Sequence, residues 1–228
     1  MPVIHFFGDS FTRGDGTLAS PLYLPNVDQT LHWTEYVANA FKYTEIKNYA
    51  TQGASNDEIL MSILEVLTDF KKGDMVIVGQ TFLERTIMLK NFPSKVGRED
   101  WCARIGGLNI GYDQAYTPYE TEEILKLNPE TSSPYETYVN IQSYIAGVKL
   151  PNNTWYTEYY TYRYKLLGKF FKKIGVEYFT WIVPDDAQGY ETITQATAGK
   201  VQDSHWSWKG SLEFGKNITK RIDKTLKS

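Results

Sequence analysis

VIHFFGDSFT, residues 3–12, is the stretch that decides the fold. Its first part, residues 3–7, is a short and nearly continuous apolar run, which is typical of a parallel strand buried on both faces. Gly8 ends this run, and a polar loop rich in Gly and Pro follows it. Parallel sheets place their ligands at the carboxyl ends of the strands, so we expect residues 8–12 to lie at a functional edge.

Strands and helices alternate along the rest of the sequence. Further strands are predicted at 44–49, 75–78 and 177–183, and helices at 31–41, 59–70, 156–174 and 209–226. The helix at 59–70 is preceded by Ser55-Asn56-Asp57-Glu58, a capping-box pattern that marks a helix N-terminus. This alternation predicts an α/β fold, a three-layer sandwich in which helices cover both faces of a central parallel sheet. We expect one domain that spans residues 1–228.

The interval from about 85 to 155 departs from this alternation. Its periodicity is poor and its Gly, Pro and Asn content is high, so we predict an irregular insertion. Aromatic residues make up 15% of the sequence, and many of its 17 tyrosines and 6 tryptophans lie between residues 101 and 181. Tyrosine and tryptophan combine an apolar face with a polar group, which suits sugar rings as well as core packing. We expect part of the interval to cover the site, with core packing as the alternative.

Composition excludes several classes of function. The 24 basic and 27 acidic residues leave a net charge of -3, so we expect neither a nucleic-acid nor a membrane partner. The single cysteine, Cys102, excludes an internal disulfide and a multi-cysteine zinc site. The sequence contains no phosphate-binding or dinucleotide-binding glycine motif and no HExxH, so we expect no cofactor and no metal. It also has no signal peptide and no apolar run of transmembrane length, which predicts a cytoplasmic location.

Two short segments carry residues suited to acyl transfer. Ser10 follows the first strand directly, where a turn exposes a hydroxyl that an adjacent base can activate. The alternative is a serine that caps a helix or stabilises a turn. His205 precedes the last helix, and Asp203 lies two residues before it. A histidine can act as a general base, and a nearby carboxylate can hold its tautomer.

A third segment, NYATQGASN at residues 48–56, joins the second strand to the capped helix. Gly53 allows the backbone to approach a ligand closely, and its amide can face a developing oxyanion. The alternative is an ordinary turn between a strand and a helix.

Together these segments resemble the SGNH (GDSL-like) hydrolase family. The resemblance implies a flavodoxin-like fold, with Ser10 as the nucleophile, His205 as the base and Asp203 as its partner. It also implies an oxyanion hole made by the amides of Ser10 and Gly53. The longer stretches GDSFT, NYATQGASND, KGDMVIVGQTFLERT and DSHWSWKG are similar to a subgroup often carried by tailed bacteriophages.

The sequence departs from the family pattern at two places. The family's third block places an asparagine where this sequence has Thr81, next to Gln80. Loss of one such oxyanion donor costs roughly 10²–10³ in rate, so we expect the side chain of Gln80, Thr81 or Asn56 to be a third donor. Asn56 is the weakest of these, because a helix-capping role already explains it. In the last block only Ser204 separates Asp203 from His205, where the family commonly has two residues.

These residues predict an enzyme that hydrolyses a carboxylic ester through an acyl-enzyme, with an O-acetylated carbohydrate as the first choice of substrate. Within the same chemistry, the alternatives are a lipase, a thioesterase and an acyltransferase. The alternative from a different class is a non-catalytic carbohydrate-binding or virion protein that keeps the fold. If the protein is encoded by a phage, association with the virion is the alternative to a cytoplasmic location.

Two other groups have the chemistry of site residues. Cys102 is an alternative nucleophile, but the better base already has a serine partner. Asp185 and Asp186 end a predicted strand and are suited either to substrate contact or to a solvated turn. The sequence does not predict an oligomeric state.

Overall fold

A computed structural model of the protein describes residues 1–15, 32–82, 86–89, 102–105 and 153–227. Within these residues, six strands are numbered along the chain: β1 Val3–Phe7, β2 Glu45–Asn48, β3 Met75–Gln80, β4 Thr86–Leu89, β5 Cys102–Ile105 and β6 Glu177–Ile182. Four of them form a parallel sheet in the order β2-β1-β3-β6. In the middle of this sheet Phe6 pairs with Asn48 on one side and with Ile77 on the other.

The strand order places a crevice at the carboxyl ends of β1 and β3. The chain passes from β1 to β2 on one side and then returns to β3 on the other side of β1. At such a reversal the loops that follow the two strands diverge, which is where open α/β sheets bind their ligands. The predicted α/β fold with a central parallel sheet is confirmed.

The described helices are α1 Ser10–Arg13, α2 Trp33–Ala40, α3 Asn56–Glu65, α4 Asn153–Ile174, α5 Val183–Asp186, α6 Ile193–Ala196 and α7 Trp208–Leu226, with a 3₁₀ turn at Leu67–Asp69. Ser55 caps α3 by accepting a 3.3 Å hydrogen bond from the amide of Glu58. The capping pattern therefore marks a true helix start. Strand β6 ends one residue before the predicted end, because Pro184 lies in the first turn of α5.

Helices cover both faces of the sheet. Alternate strand residues point to opposite faces. On one face, β1 and β3 pack against α2 and α7 through Ile4, Phe6, Ile77, Trp33, Val37, Phe214 and Ile218. On the other face, they pack against α3 and α4 through Phe7, Val76, Val78, Ile59, Ile63, Tyr164 and Phe171. The result is three layers with the sheet in the middle.

The described residues of the predicted insertion include a regular feature that the sequence did not reveal. Strands β4 and β5 pair antiparallel, with Thr86 opposite Ile105 and Leu89 opposite Cys102. The interpretation of these residues as irregular is wrong, because runs of four residues are too short to give a clear periodic signal. Most of the interval at 85–155, and with it the prediction that it covers the site, lies outside the described residues.

Candidate active site

The turn after β1 presents Ser10 as the first residue of α1. Asp9 caps this helix, since its Oδ1 accepts a 3.1 Å hydrogen bond from the amide of Phe11. A Cβ atom on Gly8 would lie 2.2 Å from Oγ1 of Thr12, so only glycine fits at that position. Ser10 itself is 2% exposed. Residues 8–13, called the Ser10 turn below, are therefore a closely packed structure that fixes where the serine lies.

His205 is oriented by Asp203. The Nδ1 atom of His205 lies 2.7 Å from Oδ1 of Asp203, and the His205 amide donates to the same oxygen at 2.8 Å. Because an ionised carboxylate only accepts hydrogen bonds, a neutral His205 ring in this pairing carries its proton on Nδ1, and its Nε2 is then an acceptor. The two side chains are 24% and 25% exposed. This arrangement can receive a proton at Nε2.

Helix α6 holds residues 203–207, called the His205 segment below. The carbonyl of Asp203 accepts hydrogen bonds from the amide and the hydroxyl of Thr194, at 3.0 and 2.8 Å. The carbonyl of His205 accepts a 2.9 Å bond from the amide of Ile193. The indole of Trp206 donates to the carbonyl of Ala187 at 3.0 Å. These bonds fix the backbone on both sides of the histidine.

Phe11 brings the Ser10 turn and the His205 segment into contact. Its ring centroid lies 5.1 Å from that of His205 and 5.0 Å from that of Trp206. The side-chain hydrogen bond of His205 within the described part of the chain runs to Asp203, not to Ser10. In ligand-free sites such a serine–histidine bond is often long and tightens only when substrate binds. The predicted nucleophile and base thus lie on adjoining segments.

The loop that contains Gly53 is bonded to the Ser10 turn. The amide of Thr51 donates to the carbonyl of Gly8 at 3.1 Å, and the side chain of Asn48 donates to the carbonyl of Thr12 at 3.0 Å. Gly53 has a φ of +69°, in the left-handed region that favours glycine. Neither its amide nor that of Ser10 donates a hydrogen bond to another residue that the structure describes.

The three side chains predicted as a third oxyanion donor all bond within the protein. Gln80 Nε2 donates to the hydroxyl of Thr180 at 2.9 Å. The Thr81 hydroxyl donates to Oδ2 of Asp9 at 2.8 Å, which uses its single proton. Asn56 Nδ2 donates to the carbonyl of Thr81 at 3.0 Å. The side-chain amides of Gln80 and Asn56 each have a second N–H beyond the one in these bonds. That either residue is the third oxyanion donor therefore stays a prediction.

Asn56 does not cap a helix. Ser55 is the capping residue of α3, and the Asn56 side chain bonds to Thr81 in both directions, with Oδ1 accepting the Thr81 amide at 3.1 Å. Oδ1 also accepts a 3.2 Å hydrogen bond from the hydroxyl of Tyr164. The helix-capping interpretation of Asn56 is wrong, because the capping-box pattern does not show that its side chain bonds to Thr81 and Tyr164, which are distant in the sequence.

Asp15 is a carboxyl group near His205 that sequence reasoning missed. Oδ1 of Asp15 lies 3.1 Å from Nε of Arg13, while its Oδ2 is buried without a hydrogen bond in the described part of the chain. Burial raises the pKa of Asp15, and the charges of Arg13 and His205 oppose that rise. No motif marks this residue, because its interaction with His205 joins parts of the chain that are distant in the sequence.

Asp186 has a structural role. Its Oδ2 accepts a 2.8 Å hydrogen bond from the amide of Ile182, and its Oδ1 lies 2.7 Å from NH1 of Arg221.

In the described ranges, no group of three His, Cys, Asp or Glu side chains is placed to hold a metal ion. No helix in these ranges is long and apolar enough to cross a membrane.

Comparisons with known proteins give distant likenesses among solved structures alone. No protein-family model matches the sequence, and no curated protein matches it. Among solved structures, the chain is similar to a protein from Desulfitobacterium hafniense DCB-2 that is described as a candidate lipolytic protein of the G-D-S-L family. The two are 12% identical, with a TM-score of 0.36 over 97% of this chain and 99% of the other.

Proposed function

We propose that this protein is a serine hydrolase of the SGNH type that cleaves carboxylic esters. Ser10 is the nucleophile, His205 the general base and Asp203 the residue that orients the base. The observation that carries the proposal is the 2.7 Å pairing of His205 Nδ1 with Asp203, which leaves Nε2 as a proton acceptor. The contact between Phe11 and His205 supports it, because it brings that base next to the turn that presents Ser10.

The reaction follows the usual course of acyl transfer. The Ser10 oxygen bonds to the carbonyl carbon of the ester while its proton passes to Nε2 of His205. The tetrahedral intermediate then expels the alcohol, which takes that proton, and the acyl group remains on Ser10. Water attacks the acyl-enzyme in the same way and releases the acid. Asp203 stays ionised throughout and stabilises the imidazolium.

The negative charge that develops on the carbonyl oxygen requires hydrogen-bond donors. The backbone amides of Ser10 and Gly53 are the proposed pair, because the Gly53 loop is bonded to the Ser10 turn through Thr51 and Asn48. Gln80 or Asn56 is the proposed third donor, through the N–H that its present hydrogen bond leaves over.

The proposed substrate is an O-acetylated carbohydrate. Support comes from the start of α4, where Trp155 is 56% exposed and stacks on Tyr159 at 5.1 Å. This end of α4 lies beside the start of α3, which follows the Gly53 loop. Flat aromatic faces with polar groups suit sugar rings. A lipid ester, a thioester and transfer to an acceptor other than water are alternatives that use the same residues.

A substrate screen tests the proposal. Wild type and Ser10→Ala are assayed side by side on acetylated glycans, p-nitrophenyl esters of increasing acyl length and a thioester. We expect wild-type activity on acetyl substrates and loss of that activity in Ser10→Ala. Activity that survives unchanged in Ser10→Ala would exclude Ser10 as the nucleophile.

A non-catalytic binding protein is the second candidate, and one observation favours it. At the position of the family's oxyanion asparagine, the only side-chain proton of Thr81 is bonded to Asp9. If wild type turns over none of the esters but binds acetylated glycans, this candidate replaces the hydrolase.

A further inference from the structure

A series of buried hydrogen bonds connects helix α4 to the Ser10 turn. The hydroxyl of Tyr164 donates to Oδ1 of Asn56 at 3.2 Å, and Asn56 bonds to both the amide and the carbonyl of Thr81. The hydroxyl of Thr81 donates to Oδ2 of Asp9 at 2.8 Å. Oδ1 of Asp9 in turn accepts the amide of Phe11 at 3.1 Å. Tyr164, Asn56, Thr81 and Asp9 are called the buried network below.

The buried network is shielded from water along its whole length. Tyr164, Asn56 and Thr81 are each 2% exposed, and Asp9 is fully buried. Burial raises the pKa of Tyr164 well above its usual range, so the phenol stays protonated and acts as a donor. In such an environment hydrogen bonds are strong and an unpaired polar group is unfavourable, so the bonds hold their partners in one arrangement.

Asp9 is the point where the buried network acts on the site. Its two carboxylate oxygens have different partners: one caps α1 at Phe11 and the other is held by Thr81. With Oδ2 fixed, the carboxylate cannot rotate away from the Phe11 amide. Ser10 lies between Asp9 and Phe11 in the chain, so the direction of its hydroxyl and of its amide depends on this cap.

We propose that Thr81 is a positioning residue for Ser10, which acts through Asp9 and is itself held by Asn56 and Tyr164. This inference rests on the proposed function and gives Thr81 a role in it. The residue at the position of the family's oxyanion asparagine orients the nucleophile instead of donating to the substrate.

Two pairs of variants test the proposal by kinetics. Thr81→Val replaces the hydroxyl with a methyl group of similar size, whereas Thr81→Ser keeps the hydroxyl. Tyr164→Phe removes the hydroxyl at the far end of the buried network. Its matched control is Tyr160→Phe, one turn away on the same helix. This variant also removes a tyrosine hydroxyl, but one that donates to Asp57.

We expect Thr81→Val to lower kcat by about tenfold to a hundredfold with little change in KM, as misplacement of a reacting group does. Thr81→Ser should restore most of that loss. Tyr164→Phe should lower kcat by a smaller factor, and Tyr160→Phe should leave it near the wild-type value. Equal kcat in Thr81→Val and wild type, or equal losses in Tyr164→Phe and Tyr160→Phe, would overturn the proposal.

A double variant tests whether Tyr164 acts on the site through Thr81. If it does, Tyr164→Phe should add little loss of kcat to a protein that already carries Thr81→Val. If Tyr164 acts by a route that does not include Thr81, the two losses should multiply. Multiplicative losses would overturn the connection from Tyr164 through Thr81.

Hydrogen exchange gives a readout that does not depend on turnover. The amides of Phe11, Thr12 and Arg13 are all bonded to Asp9, so the peptide that contains them reports on the cap. We expect faster exchange there in Thr81→Val than in Thr81→Ser, and unchanged exchange in Tyr160→Phe. If Thr81→Val does not fold, Tyr164→Phe takes its place in this comparison. If the wild type hydrolyses no ester but Thr81→Val exchanges faster than Thr81→Ser, the proposed function alone is rejected. If exchange in Thr81→Val equals that of the wild type, the positioning role is rejected.

Discussion

His205 and Asp203 meet through a single carboxylate oxygen, which accepts both the ring Nδ1 at 2.7 Å and the backbone amide of His205 at 2.8 Å. The close spacing of these residues in the sequence, with only Ser204 between them, makes this double contact possible. The carboxylate therefore fixes the ring and the backbone of the histidine at the same time.

Asp203→Asn should lower kcat strongly, but less than loss of the nucleophile or the base. An amide can donate to Nδ1 and select the wrong tautomer, which removes the acceptor at Nε2. In a comparable triad the losses are roughly 10⁴-fold for the aspartate and roughly 10⁶-fold for the serine or histidine. Steady-state kinetics on one ester for Asp203→Asn, His205→Ala and Ser10→Ala check this order. A larger loss in Asp203→Asn than in Ser10→Ala would contradict it.

The stability of the protein should depend on the protonation of His32. This residue caps α2, and its Nδ1 lies 2.8 Å from the hydroxyl of Thr34. Burial lowers the pKa of His32 from 6.5 to about 4. The unfolded chain therefore binds a proton at His32 at a higher pH than the folded protein does. The free energy of unfolding keeps its full value above pH 6.5 and falls as the pH decreases from 6.5 toward about 4. Protonation of His32 alone should lower the free energy of unfolding by roughly 2 kcal/mol between pH 7 and pH 5.

Urea unfolding at pH 7 and pH 5 measures this effect. His32→Gln replaces the ring with a side chain that does not titrate, so its loss of stability between the two pH values should be smaller than that of wild type. The substitution also changes packing, and it does so equally at pH 7 and pH 5. The quantity to compare is therefore the change in stability between the two pH values, not the stability at either one. Equal pH dependence in the two proteins would contradict the assignment to His32.

Gly210→Ala should destabilise the start of α7, which directly follows the His205 segment. A Cβ atom at Gly210 would lie 2.2 Å from the carbonyl oxygen of Glu191, a backbone atom that cannot move independently. That oxygen also accepts the amide of Ser207 at 2.9 Å. Such overpacking costs roughly 1–3 kcal/mol in free energy of unfolding.

Gly215→Ala is the matched control on the same helix, because the nearest atom to its added Cβ is 3.3 Å away. Thermal unfolding should show a larger fall in Tm for Gly210→Ala than for Gly215→Ala. The reverse order would show that the contact with Glu191 is not what requires glycine at 210.

Asp15→Asn should stabilise the protein at neutral pH. Burial raises the pKa of Asp15, and the negative charges of Asp9 and Asp203 raise it further. The positive charges of Arg13 and His205 lower it but do not cancel the rise. A raised carboxyl pKa means that ionisation costs the folded state free energy once the pH exceeds the unfolded pKa. We therefore expect a higher Tm than wild type at pH 7 and a similar Tm near pH 3. A lower Tm at pH 7 would mean that the ion pair with Arg13 outweighs burial.

The sequence predicted the elements whose signals are local. The apolar run before Gly8 and the capping pattern at Ser55 each depend on neighbours in the chain, and both predicted elements are present. His205 and Asp203 are separated by one residue, and their pairing was predicted as well.

The features that the sequence did not reveal depend on contacts between distant residues. The Thr81 hydroxyl bonds to Asp9, 72 positions away, and Tyr164 bonds to Asn56, 108 positions away. Nothing near Thr81 in the sequence indicates that its proton has an acceptor inside the protein. The electrostatic interaction of Asp15 with His205 likewise joins distant parts of the sequence.

Covalent labelling tests the central claim most directly. A fluorophosphonate reacts with a serine only when an adjacent base activates it. The protein is incubated with the probe, and the modified residue is located by peptide mass spectrometry in wild type, Ser10→Ala and His205→Ala. The account predicts one label on Ser10 of wild type and no label in either variant. An unlabelled wild type, or a label on another residue, would contradict it.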